Sequence, residues 1–212
     1  MKITVFGATG GIGRQLVAQA LNHGHDVTAV VRDAARLPIS DVALHVVTVP
    51  GLEQPDLLRS ALIGSHAVLS AVGPRGRKDG PVASTAVRTI LNAMDSAGVR
   101  RLVAVSAAPV GPVPDGESAL NRWLLLPLVG RLLRSVYTDL GEMEAQLLRS
   151  SAAWTVIRPP KLVNKPLTGI YRTTLGGNVP RGISISRADA AHLMLAALDQ
   201  PATVTQAVGV AY

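Results

Sequence analysis

A short stretch rich in apolar residues, Lys2 to Phe6, runs straight into Gly7-Ala8-Thr9-Gly10-Gly11-Ile12-Gly13, and residues at helical spacing follow. Few folds accommodate that join. Glycines at 7, 10 and 13 allow a tight bend, a close approach of backbone, and close packing of the next helix on its strand. The unpaired N–H groups at the head of that helix then face an anion. Glycines at this spacing also occur in ordinary strand-to-helix turns. Here the context is fuller: a strand precedes, a helix follows, and a second strand closes at Val31, about twenty residues on, as a diphosphate cradle requires.

The rest of the chain alternates. A helix is expected from about Gly11 to Asn22, with Leu16, Val17 and Ala20 on one face and Gly24 ending it. Val27 to Val31 reads as the second strand, ending in Arg32-Asp33, where dinucleotide folds place the residue that reads the adenosine ribose. Arg32 suits the 2′-phosphate of NADP through a charge-assisted fork, and Arg36 can share that phosphate. The expected preference is therefore NADP(H) over NAD(H), while Asp33 keeps NAD(H) open. Further strands are expected at Leu44 to Val49, His66 to Val72, Arg101 to Val105 and Trp154 to Ile157, with helices over Pro55 to Ile63 and Pro81 to Ala97. The His66 to Val72 run is continuously apolar, as in a parallel sheet buried on both faces. It ends at Gly73-Pro74-Arg75, from which Arg75 either reaches a bound anion or stays solvated.

This pattern predicts an α/β fold of the Rossmann type: one domain over residues 1–212, doubly wound, its mainly parallel sheet carrying helices on both faces. Ligands of such sheets bind beyond the carboxyl ends of the strands. Gly7, Arg32, Gly73, Ser106, Pro159 and Lys161 all fall at that edge by sequence order.

Residues 109–136 are the least regular and read as a variable substrate-side insert. Within Leu120 to Leu133, Pro127 and Gly130 predict two short helical pieces, which could roof a pocket, bury themselves against a second copy in a homodimer, or pack on the same chain. Val136 to Ser150 reads as a helix with Met143 and Leu147 inward. Leu167 to Tyr171 reads as a small extended excursion, Arg187 to Leu198 as a last helix, and Thr205 to Ala211 as a final edge strand.

Composition removes several functions. With no cysteine there are no disulfides, thiolate metal sites or cysteine nucleophiles. No signal peptide is apparent, and the longest apolar run, Trp123 to Gly130, is far too short to span a bilayer. A cytoplasmic protein without a membrane partner is the expectation. The net charge of +7 is spread singly except at Arg75-Gly76-Arg77-Lys78 and Arg100-Arg101, which disfavours nucleic acid and favours small anionic ligands.

Catalytic groups are few. No tyrosine is followed four residues on by a lysine: Gly141 follows Tyr137, and Leu175 follows Tyr171. Carbonyl reduction by a lysine-activated phenol is therefore disfavoured. His, Asp and Glu form no cluster at metal spacing, and His66 and His192 read as structural. Hydride transfer to an acceptor with its own electron sink asks less of a protein, chiefly placement. With only 3% aromatic residues, such an acceptor would lie mostly on aliphatic walls.

Ile3 to Gly13, Val30-Val31-Arg32-Asp33 with Arg36-Leu37-Pro38, Pro159-Pro160, Pro166-Leu167-Thr168-Gly169 with Tyr171, and Ile185 to Leu195 together carry a resemblance. The chain resembles the NAD(P)H-binding branch of the atypical short-chain dehydrogenase/reductases, which contains flavin reductase (biliverdin IXβ reductase-like) and NmrA-like members. The resemblance implies cofactor contacts at Gly7, Thr9, Gly10, Gly11, Ile12, Arg32, Arg36, Gly73 and Arg75. It places Ser106 beside the nicotinamide and Pro159 at its flank. It departs at Lys161, where the flavin reductases have a histidine, and at Pro50-Gly51, which replaces an acidic residue that commonly meets the adenine. With Arg32, the glycine turn and the missing tyrosine–lysine pair, the expected function is NADPH-dependent hydride transfer to a small conjugated acceptor, flavin or quinone, with Ser106 and Lys161 as the catalytic groups that could protonate the product. Non-catalytic redox sensing of the NmrA-like kind is the alternative, and a nucleotide-sugar epimerase or dehydratase a weaker one.

Overall fold

The computed structural model describes residues 1–74, 79–117, 131 and 133–212. The first part of the chain forms β1 (Lys2–Phe6), α1 (Gly11–Asn22), β2 (Asp26–Val31), β3 (Leu44–Thr48), α2 (Pro55–Leu62), β4 (Ala67–Ser70), α3 (Val82–Ala97) and β5 (Arg101–Val105). Then come α4 (Arg134–Arg149), β6 (Ala153–Arg158), β7 (Lys161–Val163), β8 (Arg172–Leu175), β9 (Ser184–Ser186), α5 (Arg187–Ala196) and β10 (Gln206–Ala211). Eight strands join in the order β3-β2-β1-β4-β5-β6-β10-β8, every pair parallel except β10 with β8. The order reverses between β1 and β4, and Gly7 stands at that switch point, where open α/β sheets bind ligands.

Alternation along the strands builds two cores. Ile3 and Val5 face one side with Leu16 and Val17 of α1 and Ala191 and Met194 of α5. Phe6, Leu102 and Val156 face the other, against Leu58 of α2, Ile90 of α3 and Met143 of α4. Helices therefore cover both faces. Burial of these side chains is the main force holding the layers together, roughly 1.5–3 kcal/mol for each large aliphatic residue fully enclosed.

The helices are capped in different ways. Pro81 precedes α3 and offers no side-chain acceptor. Asp139 of α4 fills the role across the helix pair, accepting from the Ala83 N–H at 2.8 Å, the Ser84 N–H at 3.0 Å and the Ser84 hydroxyl at 2.5 Å. A negative charge at a helix head is favourable there, and it locks α4 to α3.

Two expectations need correction, and one strand pair is additional. β10 is not an edge strand: β8 pairs outside it antiparallel, Val208 opposite Leu175, because the chain after Tyr171 folds back along it. Residues 167–171 form no strand; the expected excursion becomes a turn, tied down as described below, and the strand begins at Arg172. A separate parallel pair, β7 with β9, has no counterpart among the expected elements. His66 and His192 are structural as expected: the Lys2 N–H donates to His66 Nδ1 at 3.0 Å, and Tyr171 Oη lies 2.7 Å from His192 Nδ1. The helical pieces and dimer surface expected in 120–133, Trp123 included, lie outside the described residues apart from positions 131 and 133. Among the described residues no helix is long and apolar enough to cross a membrane.

Candidate functional site

The cradle is shaped by missing side chains. Gly7 has φ +74°, and a Cβ there would lie 2.6 Å from the backbone carbon and oxygen of Ala71. Any other residue would both strain the turn and part β1 from β4. A Cβ at Gly13 would lie 2.0 Å from the Gly7 carbonyl oxygen, so α1 sits on its own entry turn with no room between. The Gly10 N–H closes the turn on Gly7 O at 2.9 Å, and the first helical bond runs from the Arg14 N–H to Gly10 O at 2.9 Å. The N–H groups of Gly11, Ile12 and Gly13 thus have no helical acceptor. No side chain caps them either, since Gly10 is the N-cap, and both Gly10 and Gly11 are exposed. A bare helix head with exposed glycines fits a diphosphate.

Around it, the carboxyl edge of the sheet gathers the remaining candidates. Thr9 and Ile12 belong to the same turn. Arg32 follows β2 directly and is exposed; Arg36 ends the short turn Ala34–Arg36 and is exposed too. The Asp33 carboxylate is turned inward on that turn, accepting from the Ala35 N–H at 3.0 Å. Arg14, which sequence reasoning passed over, donates to the Arg36 carbonyl at 3.1 Å and ties the helix head to the arginine pair. Its one signal was its place in the first turn of the helix, on the exposed face. Gly73 lies beyond β4 with open space around its α-carbon. Arg75 is outside the described residues.

On the other side of the switch point, the β5–β6 ladder runs on past its strands. The Ser106 N–H donates to Ile157 O and the Ala108 N–H to Pro159 O, both at 2.8 Å, so Ser106 stands opposite Arg158 and one ladder step before the level of Pro159. The Ser106 hydroxyl is buried and makes no hydrogen bond among the described residues. Lys161 opens β7, is exposed, and has neither ion pair nor hydrogen bond there.

A wall of charged networks, none of it foreseen, holds this half. Arg158, beside Ser106, forks onto Glu144 of α4: Nε donates at 3.1 Å, and Nη2 makes a shorter bond to the other oxygen. The pair is nearly enclosed, with side chains 12% and 10% exposed. Asn178 donates to the carbonyls of Ala108 at 2.7 Å and Pro112 at 3.0 Å, holding the loop after β5. Asp189, fully buried in the first turn of α5, accepts from the Thr168 and Gly169 N–H groups and from the hydroxyls of Thr168, Ser186 and Tyr212, all at 2.6–3.0 Å. Burial alone would raise its pKa, but the Tyr212 hydroxyl, the two amides and Ser186 outweigh that and hold it down at about 2. This network is what the Leu167-Thr168-Gly169 stretch is for.

Both tyrosines examined as acids are pushed the wrong way. Burial raises Tyr137, and burial followed by the charge of Asp189 raises Tyr171 to about 12. A lysine-activated phenol requires the opposite shift. Among the described residues no group of His, Cys, Asp and Glu could hold a metal ion. A cavity of about 690 Å³ between the last turns of α3 and α4, bordered by Gly98 and Ala152, lies at the opposite edge of the sheet from these candidates.

A family profile described as NAD(P)H-binding matches residues 7–201. The chain belongs to this NAD(P)H-binding family. It is 36% identical over 188 residues to a 3-diazoavenalumate denitrifying reductase of a Streptomyces species, covering 81% of this chain and 59% of that protein. It is 32% identical over 177 residues to an uncharacterised chloroplastic protein of Arabidopsis thaliana, covering 79% and 61%. The chain thus spans about six-tenths of the length of these two relatives. Among solved structures, the oxidoreductase ylbE of Lactococcus lactis superposes with a TM-score of 0.83 at 17% identity, over 100% of this chain and 90% of that one. A wide-type short-chain dehydrogenase/reductase of Veillonella parvula in complex with NADP gives 0.77 at 22% identity, over 100% and 94%. These likenesses establish the mainly parallel Rossmann-type fold. What the family membership shows is NAD(P)H binding as the family's common property.

Proposed function

We propose that the protein is an NADPH-dependent oxidoreductase that reduces a small conjugated acceptor of the flavin or quinone type. The observation that carries this reading is a buried Ser106 hydroxyl with no hydrogen-bond partner among the described residues, one ladder step from Pro159 at the carboxyl edge, while Tyr137 and Tyr171 are both shifted away from acid duty. When bound, NADPH supplies the hydride. The amides at the head of α1 hold the diphosphate, and Arg32 with Arg36 pairs the 2′-phosphate, Asp33 being occupied by its own turn. Pro159 gives a flat apolar wall. Ser106 has hydrogen-bonding capacity to spare for an atom of the ring system, and the Lys161 ammonium stands at the mouth as proton source. A ring that accepts the electron pair into its own conjugation leaves the protein only one proton to deliver and two rings to align.

The test is NADPH oxidation followed by absorbance with FMN, riboflavin and simple quinones. Turnover above the blank is expected, with Ser106→Ala reducing kcat about tenfold or more, a larger loss than in NADP(H) affinity. Tight NADP(H) binding with no turnover on any of these acceptors would overturn the enzymatic reading and favour a sensor.

A further inference from the structure

One cavity adjoins the cradle and is lined from elements on its far side as well. It measures about 470 Å³, opens against Gly11, and is lined by Arg14 of α1, Lys165 and Pro166 of the segment after β7, and Arg187 at the start of α5. Three cations from three separate elements meet there, and no carboxylate among the described residues lines the cavity. Arg187 is brought to this place by the missing side chain at position 11: a Cβ on Gly11 would lie 2.5 Å from its Cδ and 2.7 Å from its Nε. Its Nη1 donates to Asn164 Oδ1 at 2.7 Å and to Leu162 O at 3.4 Å, which ties one edge of the guanidinium to the β7 segment. Nη2 makes no hydrogen bond among the described residues. Arg14 spends one nitrogen on the Arg36 carbonyl, and Lys165 is exposed with no partner there. Like charges gathered around one space repel one another, and an anion between them turns that repulsion into attraction.

We propose that Arg14, Lys165 and Arg187 form an anion subsite for a phosphate-type group. The donor set fits one: two guanidinium forks and an ammonium present several N–H groups to a tetrahedral oxyanion. The site itself rests on the cavity and its cations; only the source of the phosphate rests on the NADP(H) reading above. That source is either the diphosphate of the dinucleotide or a phosphate carried by the acceptor bound beside it.

Calorimetric titration with inorganic pyrophosphate separates these. Wild-type protein is expected to bind it, and the double variant Arg14→Met, Lys165→Met to bind it at least tenfold more weakly. Both side chains are exposed, so the variant keeps its core; Arg187→Met, which also cuts the tie to Asn164, is the second variant and should weaken binding as well. Repeating the titration on protein saturated with NADP⁺ identifies the source. Binding that persists assigns the subsite to a second, phosphorylated molecule, and binding that vanishes while the variants also lose NADP⁺ affinity assigns it to the dinucleotide. Pyrophosphate binding lost in the variants of a protein that binds no dinucleotide would sink the proposed function and keep the subsite. No binding by wild type, or equal binding by the double variant, overturns the subsite.

Discussion

The two halves of the carboxyl edge are made precise by opposite means. From β1 to Arg36 the geometry comes from absence: Gly7 and Gly13 leave gaps that any added carbon would close. Beyond β5 it comes from charge. Asp139, Glu144 and Asp189 are all buried, and each joins segments distant in the chain through charge-assisted hydrogen bonds. The cradle therefore tolerates no Cβ at Gly7 or Gly13, and the second half tolerates no buried charge left without its partner. That division is what the proposed function would ask for: one half fitted to an unvarying diphosphate, the other to a substrate.

The sharpest break of this contrast is an alanine scan of glycines. Gly13→Ala should cost at least about 3 kcal/mol, since its Cβ would overlap the Gly7 carbonyl oxygen and force α1 off its strand. Gly24→Ala is the control: it shares a positive φ of +73° but has nothing within 4 Å, so strain alone should cost about 1 kcal/mol. Denaturant unfolding of the two proteins checks this. Equal costs would mean that the cradle is not held by close approach.

On the charged side, Glu144→Gln should cost about 3 kcal/mol, because it leaves the Arg158 guanidinium nearly enclosed beside a neutral amide. Replacing both partners together, Glu144→Met with Arg158→Met, should recover most of that loss, since no unpaired charge remains. A double variant as unstable as the single would show that the pair acts through packing and not through charge.

Asp189→Asn comes next, at about 2 kcal/mol near neutral pH, as an amide cannot accept from five donors as the carboxylate does. The pH dependence has a fixed sign. The folded pKa of about 2 lies below the ordinary 3.8, so this carboxylate stabilises fully above the unfolded value, and its contribution fades as pH falls through about 2. Unfolding midpoints measured from pH 5 to about 2 should therefore fall less steeply in Asp189→Asn than in wild type.

How much of this was legible follows the same division. The glycine turn, the alternation of strands and helices and the convergence of Gly7, Arg32, Ser106 and Pro159 on one edge are written in local spacing, which sequence displays directly. Asp189 looked like any first-turn acid of a helix, and its partners Thr168 and Tyr212 stand 21 and 23 residues away. Glu144 and Arg158 stand 14 residues apart on different elements, and no local spacing pairs them. β8 was hidden because Arg172-Thr173-Thr174-Leu175 is a short, half-polar edge whose pairing with β10 depends on that same anchored turn. Local rules see periodicity; they do not see which distant donor a carboxylate will find.

The smallest effect concerns the outer part of the first half, where the proposed choice of coenzyme would rest on an exposed cation. Arg32 follows β2 with no partner among the described residues, so whatever it contributes comes from a ligand. Charge-assisted contact with a 2′-phosphate at a solvated position should give NADPH about a tenfold advantage that Arg32→Ala removes, equivalent to about 1.4 kcal/mol. NADH affinity should barely change in the same variant. The advantage should also shrink as salt is added, because an exposed pair is screened where the amides of the helix head, closer to their ligand, are less so. Titrating both coenzymes at low and high salt separates the two contributions: a preference that survives both salt and Arg32→Ala would place the selection elsewhere in the cradle, with Arg36 and Arg14 the nearest cations to examine.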